Sequence, residues 1–178
     1  HRIANRILRR QGHLLGYRPH YTILDADDVR QLLNSCISEL GIDVKGEKFP
    51  RADLLADILS FHVNTGESLE RTVARKYPFF RFRIDEIREV ASLYGKKKRA
   101  MNLMDFDDLL ANWLRLLKEE PRLLDAYAEQ FVHILVDEYQ DTNALQAEIL
   151  DLLSSRHRNL VVVGDDSQSI YSFRGADF

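Results

Sequence analysis

Two adjacent carboxylates, Asp137 and Glu138, follow directly on the apolar run Val132-His133-Ile134-Leu135-Val136. Acidic side chains are costly beside a core unless they hold a metal or a proton in transit. Ligands of an open α/β sheet bind outside the carboxyl ends of its strands. The chemistry open to such a pair is nucleotide hydrolysis, with Asp137 holding Mg²⁺ and Glu138 orienting the attacking water. A second short run, Leu160-Val161-Val162-Val163, closes at Gly164 and continues into Asp165-Asp166-Ser167-Gln168. Between the runs Leu145, Ile149, Leu150, Leu152 and Leu153 recur at helical spacing. The pattern predicts a buried strand, a helix and a buried parallel strand with a right-handed crossover, which brings both polar clusters to one sheet edge.

The elements before residue 131 read mostly as helices, with Thr22-Ile23-Leu24-Asp25 as an extended stretch. One covers about residues 1–11 and ends near Gly12 or Gly16. Asp25 caps a helix over about 26–40 with Val29, Leu32, Leu33, Cys36, Ile37 and Leu40 on its apolar face and Gly41 as its stop. Helices over about 51–64, 67–76 and 80–100 follow, with Asn64-Thr65-Gly66 as a break. In Asp105-Phe106-Asp107-Asp108-Leu109-Leu110 the three carboxylates suggest a metal site, but their position favours capping: Asp105 at the N-cap, Asp107 and Asp108 in the first turn, and an apolar face running on to Pro121. No histidine pair has the spacing of a metal-binding helix, and His133 reads as a hydrogen-bonded core residue.

The 178 residues suit about one and a half domains by the usual prior of roughly 100–200 residues each. No apolar run approaches the roughly 20 residues that span a bilayer, so no membrane role is expected. The single cysteine, Cys36, excludes an intramolecular disulfide; a cytoplasmic location and a buried thiol on a helix's inner face are the expectations. Net charge is −3, but it is segregated. Residues 70–99 carry ten Lys and Arg against four acids, a local +6, whereas residues 101–155 carry twelve acids against three cations, a local −9. A basic face toward phosphates beside an acidic metal-binding region is the reading this supports.

The stretches Asp137-Glu138-Tyr139-Gln140-Asp141-Thr142-Asn143 and Val163-Gly164-Asp165-Asp166-Ser167-Gln168-Ser169-Ile170-Tyr171-Ser172-Phe173-Arg174-Gly175-Ala176 resemble motifs II and III of the UvrD/Rep/PcrA helicases of superfamily I. His1 to Arg10 resembles the helix after that family's Thr-Phe-His signature, and Asp105 to Leu110 its Asp-Phe-Asp-Asp-Leu-Leu segment. The resemblance implies a P-loop NTPase, RecA-like α/β motor-core fragment with an inserted all-helical 1B subdomain. Residues 1–19 and 101–178 would belong to motor domain 1A, the latter with Walker B (motif II) and motif III, and residues 20–100 to 1B. No Gly-x-x-x-x-Gly-Lys-[Ser/Thr] occurs, and Gly95-Lys96 lacks the upstream glycine such a loop needs. The chain therefore reads as a piece of a larger ATP-dependent enzyme, inactive by itself.

By resemblance Asp137 holds Mg²⁺, Glu138 positions and deprotonates water, Gln168 senses the γ-phosphate of ATP, and Arg174 relays nucleotide state to motif II. Tyr171 and Phe173 are implied to stack on single-stranded DNA, with phenylalanine standing where the family often has tryptophan. Arg81, Arg83, Arg88 and the run Lys96-Lys97-Lys98-Arg99 are expected to meet the phosphates of duplex DNA. Translocation would run 3′→5′ with duplex unwinding. Two alternatives are the helicase part of an AddA/RecB-like helicase–nuclease and a non-catalytic nucleic-acid-binding module. Protein partners are unknown.

Overall fold

The computed structural model describes residues 1–44 and 49–165, which form two compact units. Helix α1 (Arg2–Gln11) opens the first unit, which comprises residues 1–16 and the chain from Leu109 onward. The second, Tyr17–Asp108, contains β1 (Thr22–Ile23), α2 (Ala26–Glu39), α3 (Ala52–Thr65), α4 (Leu69–Lys76), a 3-10 helix (Pro78–Arg83), α5 (Ile84–Ala100) and β2 (Leu103–Met104). Helix α6 (Phe106–Glu119) follows, and α7 (Pro121–Gln130), β3 (Ile134–Val136), α8 (Ala144–Ser154) and β4 (Leu160–Val162) belong to the first unit.

The helical unit owes its boundaries to side chains that satisfy the free ends of helices. Asp25 and Asp28 make a reciprocal capping box on α2, and Ser68 accepts from Arg71 N at the start of α4. Gly66 ends α3 at φ +69°, a left-handed value that glycine adopts without a Cβ clash. The core gathers Leu33, Cys36 and Ile37 of α2, Leu55 and Ile58 of α3, Val73 of α4, and Ile87, Val90 and Tyr94 of α5. Each fully buried aliphatic side chain there contributes about 1.5–3 kcal/mol.

Where the chain enters and leaves this unit, β1 and β2 run parallel with Thr22 opposite Leu103 and Ile23 opposite Met104. Asn102, at φ +57°, locks the junction: its carbonyl accepts from Thr22 N (3.1 Å) and its side-chain oxygen from Arg18 N (2.9 Å). Entry and exit thus lie side by side, as they do in a domain inserted into another.

In the first unit β3 and β4 pair in parallel, Ile134 with Leu160, Leu135 with Val161 and Val136 with Val162, with α8 between them in the chain. The expected strand–helix–strand order is present, but the strands are not buried on both faces. Ile134 and Val136 are half-covered, while Leu135 is 77% exposed and Val161, Val162 and Val163 are exposed. His133, expected in the core, is exposed too. Side chains alternate with period two, so residue 133 shares the open face of Leu135. Two further differences concern helices. The expected helix over 80–100 begins as the 3-10 turn Pro78–Arg83 and becomes α-helical at Ile84. Pro121, expected to end α6, also starts α7 at its first helical position, where a missing N–H costs nothing.

Candidate functional site

The loops after β3 and β4 meet at the carboxyl edge of the pair. Val163 N donates to Val136 O (2.8 Å) and Tyr139 N to Val163 O (2.9 Å), which carries the ladder past both strand ends. Asp137 and Glu138 emerge there, both exposed. Glu138 has φ +53°, a left-handed conformation that costs a non-glycine residue roughly 1–2 kcal/mol, and its amide donates to Asp137 Oδ1 (3.0 Å). The turn thus splays two successive carboxylates, where an ordinary strand would place them on opposite faces.

Gln140 is the residue that sequence reasoning passed over. It is 4% exposed. Its Nε2 donates to Glu138 Oε2 (2.5 Å), and its Oε1 accepts from Asp165 N (3.0 Å). One amide side chain therefore fixes the glutamate and ties the loop after β4 to the loop after β3. Gly164 makes room for it, since a Cβ at that position would lie 2.7 Å from Gln140 Oε1 and 3.3 Å from the backbone nitrogens of Tyr139 and Gln140. The signal available in sequence was the glycine closing the second apolar run, where a close backbone approach is a standing reason for glycine.

A cavity of about 540 Å³ opens beside this edge, lined by Arg2, Trp113, Asp137, Glu138, Asp141 and Gln146 among others. Two buried polar atoms in its lining, Trp113 Nε1 and Asp141 Oδ1, have no hydrogen-bond partner among the described residues. Both are nearly inaccessible, and orphaned polar atoms of this kind are costly. Among the described residues no three potential ligand side chains converge on a metal. Mg²⁺ is commonly held by one or two carboxylates with water and phosphate oxygens, and the exposed Asp137 could offer one such oxygen. A larger cavity, about 660 Å³, lies in the helical unit, and neither of the strand-end carboxylates Asp137 and Glu138 lines it.

The basic region of the helical unit is largely neutralised from within. Arg75 pairs with Glu67 (3.0 Å), Arg83 with Glu86, and Arg88 with both Glu70 (2.5 Å) and Asp85 (2.6 Å). The Arg88 guanidinium holds the Glu70 carboxyl down to about 2. Lys97 reaches Glu39 (2.6 Å) and Ser35 Oγ (3.0 Å), and the Arg99 guanidinium lies 4.2 Å from the Tyr17 ring centroid. Lys98 corrects the expectation most clearly. It is 8% exposed, and its ammonium donates to Asp105 and Asp108, each at 2.6 Å. Burial alone would lower its pKa, but the two carboxylates override that and raise it. Lys98 is therefore a structural cation, unavailable to DNA. Lys96 and Arg81 remain exposed.

Asp105 and Asp108 also cap α6 reciprocally, Asp108 N donating to Asp105 Oδ1 (2.8 Å) and Asp105 N to Asp108 Oδ2 (2.9 Å). The capping role expected for Asp105 is present, and the cation between the carboxylates is the protein's own. Gln168, Tyr171, Phe173 and Arg174 lie outside the described residues.

The pair of parallel strands ending in carboxylates, with a helical unit inserted before it, defines the class in which the chain falls. The whole chain, residues 1–178, matches the UvrD/REP helicase N-terminal domain, and it belongs to that family, whose motor is a P-loop NTPase. Among particular relatives, it is 36% identical over 177 residues to the ATP-dependent DNA helicase PcrA of Leuconostoc citreum. It is 39% identical over 187 residues to the ATP-dependent DNA helicase UvrD1 of Mycobacterium tuberculosis, and 33% identical over 177 residues to PcrA of Staphylococcus aureus. Each match covers 99% of this chain and 23–24% of the relative, so the chain spans about a quarter of the length of these proteins. Among the described residues no helix is long and apolar enough to cross a membrane.

Proposed function

We propose that the chain is part of motor domain 1A, with Tyr17–Asp108 as its 1B insertion, of an ATP-dependent DNA helicase that moves 3′→5′ on single-stranded DNA and unwinds duplex. The observation that carries the reading is the Gln140 bridge, which holds Glu138 and the loop after β4 at one sheet edge. A hydrolytic motor needs its water-activating group and its nucleotide-sensing loop to move together. The names of the similar proteins favour a helicase over a helicase–nuclease or a non-catalytic module.

Phosphoryl transfer to water is a matter of positioning and charge. Mg²⁺, when bound, neutralises charge on the β- and γ-phosphates of ATP, and Asp137 is the residue to hold it. With Glu138 Oε2 engaged by Gln140, the second carboxylate oxygen accepts the proton of the attacking water. Gln168 meets the γ-phosphate, and Arg174 links the motif III loop back to the motif II carboxylate. Tyr171 and Phe173 grip single-stranded bases, and Lys96 is the exposed member of the lysine run left for duplex phosphates. The open face of Leu135 and Val161 is suited to further parts of the motor, since a two-stranded sheet is not stable alone.

In the intact protein Glu138→Gln keeps the side chain's shape and removes the base. ATP turnover should fall about 10²- to 10⁴-fold while Mg²⁺–ATP binding persists, as single-turnover and equilibrium-binding measurements would show. A variant retaining more than half the steady-state rate would overturn the assignment.

A further inference from the structure

The surface of the 3-10 helix Pro78–Arg83 has no part in the hydrolytic site. Its sequence, Pro-Phe-Phe-Arg-Phe-Arg, contains three aromatic rings and two cations and no acid. Phe80 is half-buried against the core of the helical unit and anchors the turn. Phe79 and Phe82 are 70% and 81% exposed. A 3-10 helix has three residues per turn, so side chains three apart eclipse one another; Phe79 and Phe82 therefore stand on one face. Phe79 is braced edge-on by Phe80, with ring centroids 5.2 Å apart and planes at 90°. The Arg81 guanidinium lies 4.4 Å from the Phe82 centroid and covers one side of that ring. With Phe82 so exposed, the other side is left to solvent.

Singly exposed apolar side chains need no explanation, but two phenyl rings on one face of a turn with a guanidinium over one of them do. Ring faces accept any nucleobase by stacking, and an adjacent cation meets the phosphate of the same strand. Arg83 is turned to Glu86, so Arg81 is the cation this turn presents. The neighbouring α4 adds the exposed Arg71. Duplex DNA cannot use such rings, because its bases are stacked on each other. Two arginines and no acid in the turn favour a polyanionic strand as the occupant over a neutral apolar protein face.

We propose that Phe79 and Phe82, with Arg81, form a second single-stranded DNA contact, on the helical unit and additional to the motif III aromatics. It rests on the helicase reading only in taking DNA as the ligand. A motor that separates strands generates unpaired bases from two strands, and a sequence-tolerant stacking surface outside the motor groove can hold those that the motor does not grip.

The test uses the intact protein and a fluorescently labelled oligothymidylate, with and without the Tyr171→Ala/Phe173→Ala pair as background. Phe79→Ala/Phe82→Ala should weaken binding at least about 5-fold per ring removed, the lower end of base–aromatic stacking. Phe79→Leu/Phe82→Leu, which keeps apolar area without a π face, should weaken it as well. Arg81→Ala should lower the magnitude of the log–log salt slope by about 0.7. Phe82→Trp should report contact directly, by quenching of the new indole beyond that of the Trp113 background. Both rings lie outside the core, and an unchanged melting temperature would show that the variants fold. Indole fluorescence of the Phe82→Trp variant that stays unquenched at saturating DNA, or leucine variants that bind like the parent, would overturn the second contact. DNA-stimulated ATP hydrolysis surviving in those variants would leave the helicase reading standing. An intact protein that binds no oligothymidylate at all would sink both.

Discussion

The helical unit and the strand pair treat charge and apolar surface in different ways. In Tyr17–Asp108 several helix starts and half of the basic region's cations find partners inside the unit: capping boxes close α2 and α6, and five of the ten cations in residues 70–99 are held in ion pairs. The carboxyl edge of β3 and β4 is less self-contained in its apolar surface and its backbone, although Glu67 Oε2 and Thr72 Oγ1 of the helical unit are also without partners among the described residues and Asn102 there is also left-handed. Leu135 is exposed, Glu138 is held in a left-handed conformation, and Trp113 Nε1 and Asp141 Oδ1 are left without partners among the described residues. A local charge count therefore says little about binding until internal pairs are subtracted.

The largest effect that would break this contrast is at Lys98. If its role is structural, Lys98→Ala leaves Asp105 and Asp108 as two half-buried carboxylates without their cation and costs about 3 kcal/mol, the lower end for a broken buried pair. Thermal denaturation followed by circular dichroism should show a fall of more than about 10 °C for the helical unit. Lys96→Ala, two residues away and exposed, should change stability by less than about 0.5 kcal/mol. Equal effects at the two positions would mean that the lysine run is uniformly solvated and that the buried triad is wrong.

Gly164→Ala probes the other region with a smaller change. The added Cβ must displace Gln140 Oε1 at 2.7 Å, and the two backbone nitrogens at 3.3 Å limit how far the loop can give. Overpacking of this kind costs about 1–3 kcal/mol, and it should break the Asp165–Gln140 bond. The expected signature is a drop in DNA-stimulated ATP turnover larger than the loss of stability. Gln140→Ala should reproduce it by removing both hydrogen bonds. Turnover that tracks stability alone would show that the bridge does not couple the two loops.

How far these contrasts are legible in sequence depends on range. Caps such as Asp25, Ser68 and Gly66 act within a few residues, so helix boundaries follow from local chemistry. The carboxylates after an apolar run mark a strand end equally locally. Lys98 is misread because a lysine run reads as a solvated face, yet Ile87, Val90 and Tyr94 precede it at spacings of three and four and are all buried. Continuing that stripe by one turn places Lys98 inside. The Gln140 bridge and the pairing of Arg88 with Glu70 depend on which elements meet in space, and the openness of β3 and β4 depends on what covers them. None of these is a property of a single segment.

The smallest predicted effect sharpens the account of the buried triad. Burial, and then the neighbouring Asp105 charge, raise the Asp108 carboxyl to about 6. Burial acts in the same direction on Asp105, but the Lys98 ammonium outweighs it and holds that carboxyl below its usual value. An acid whose folded-state pKa lies above its unfolded value, about 3.9, binds more protons folded than unfolded between those limits. Its contribution to stability therefore grows as pH falls from about 6 toward 4 and is lost as pH rises through the window. Asp105 acts oppositely and lower down: its stabilisation is present above about 3.9 and fades as pH falls below that. From pH 7 to 5 the Asp108 term dominates, and the wild-type melting temperature should rise by a few degrees relative to Asp108→Asn, whose amide keeps a capping oxygen but does not titrate. Parallel pH–melting curves for the two proteins would show that Asp108 ionises normally, and the seal at the start of α6 would then be an ordinary surface ion pair.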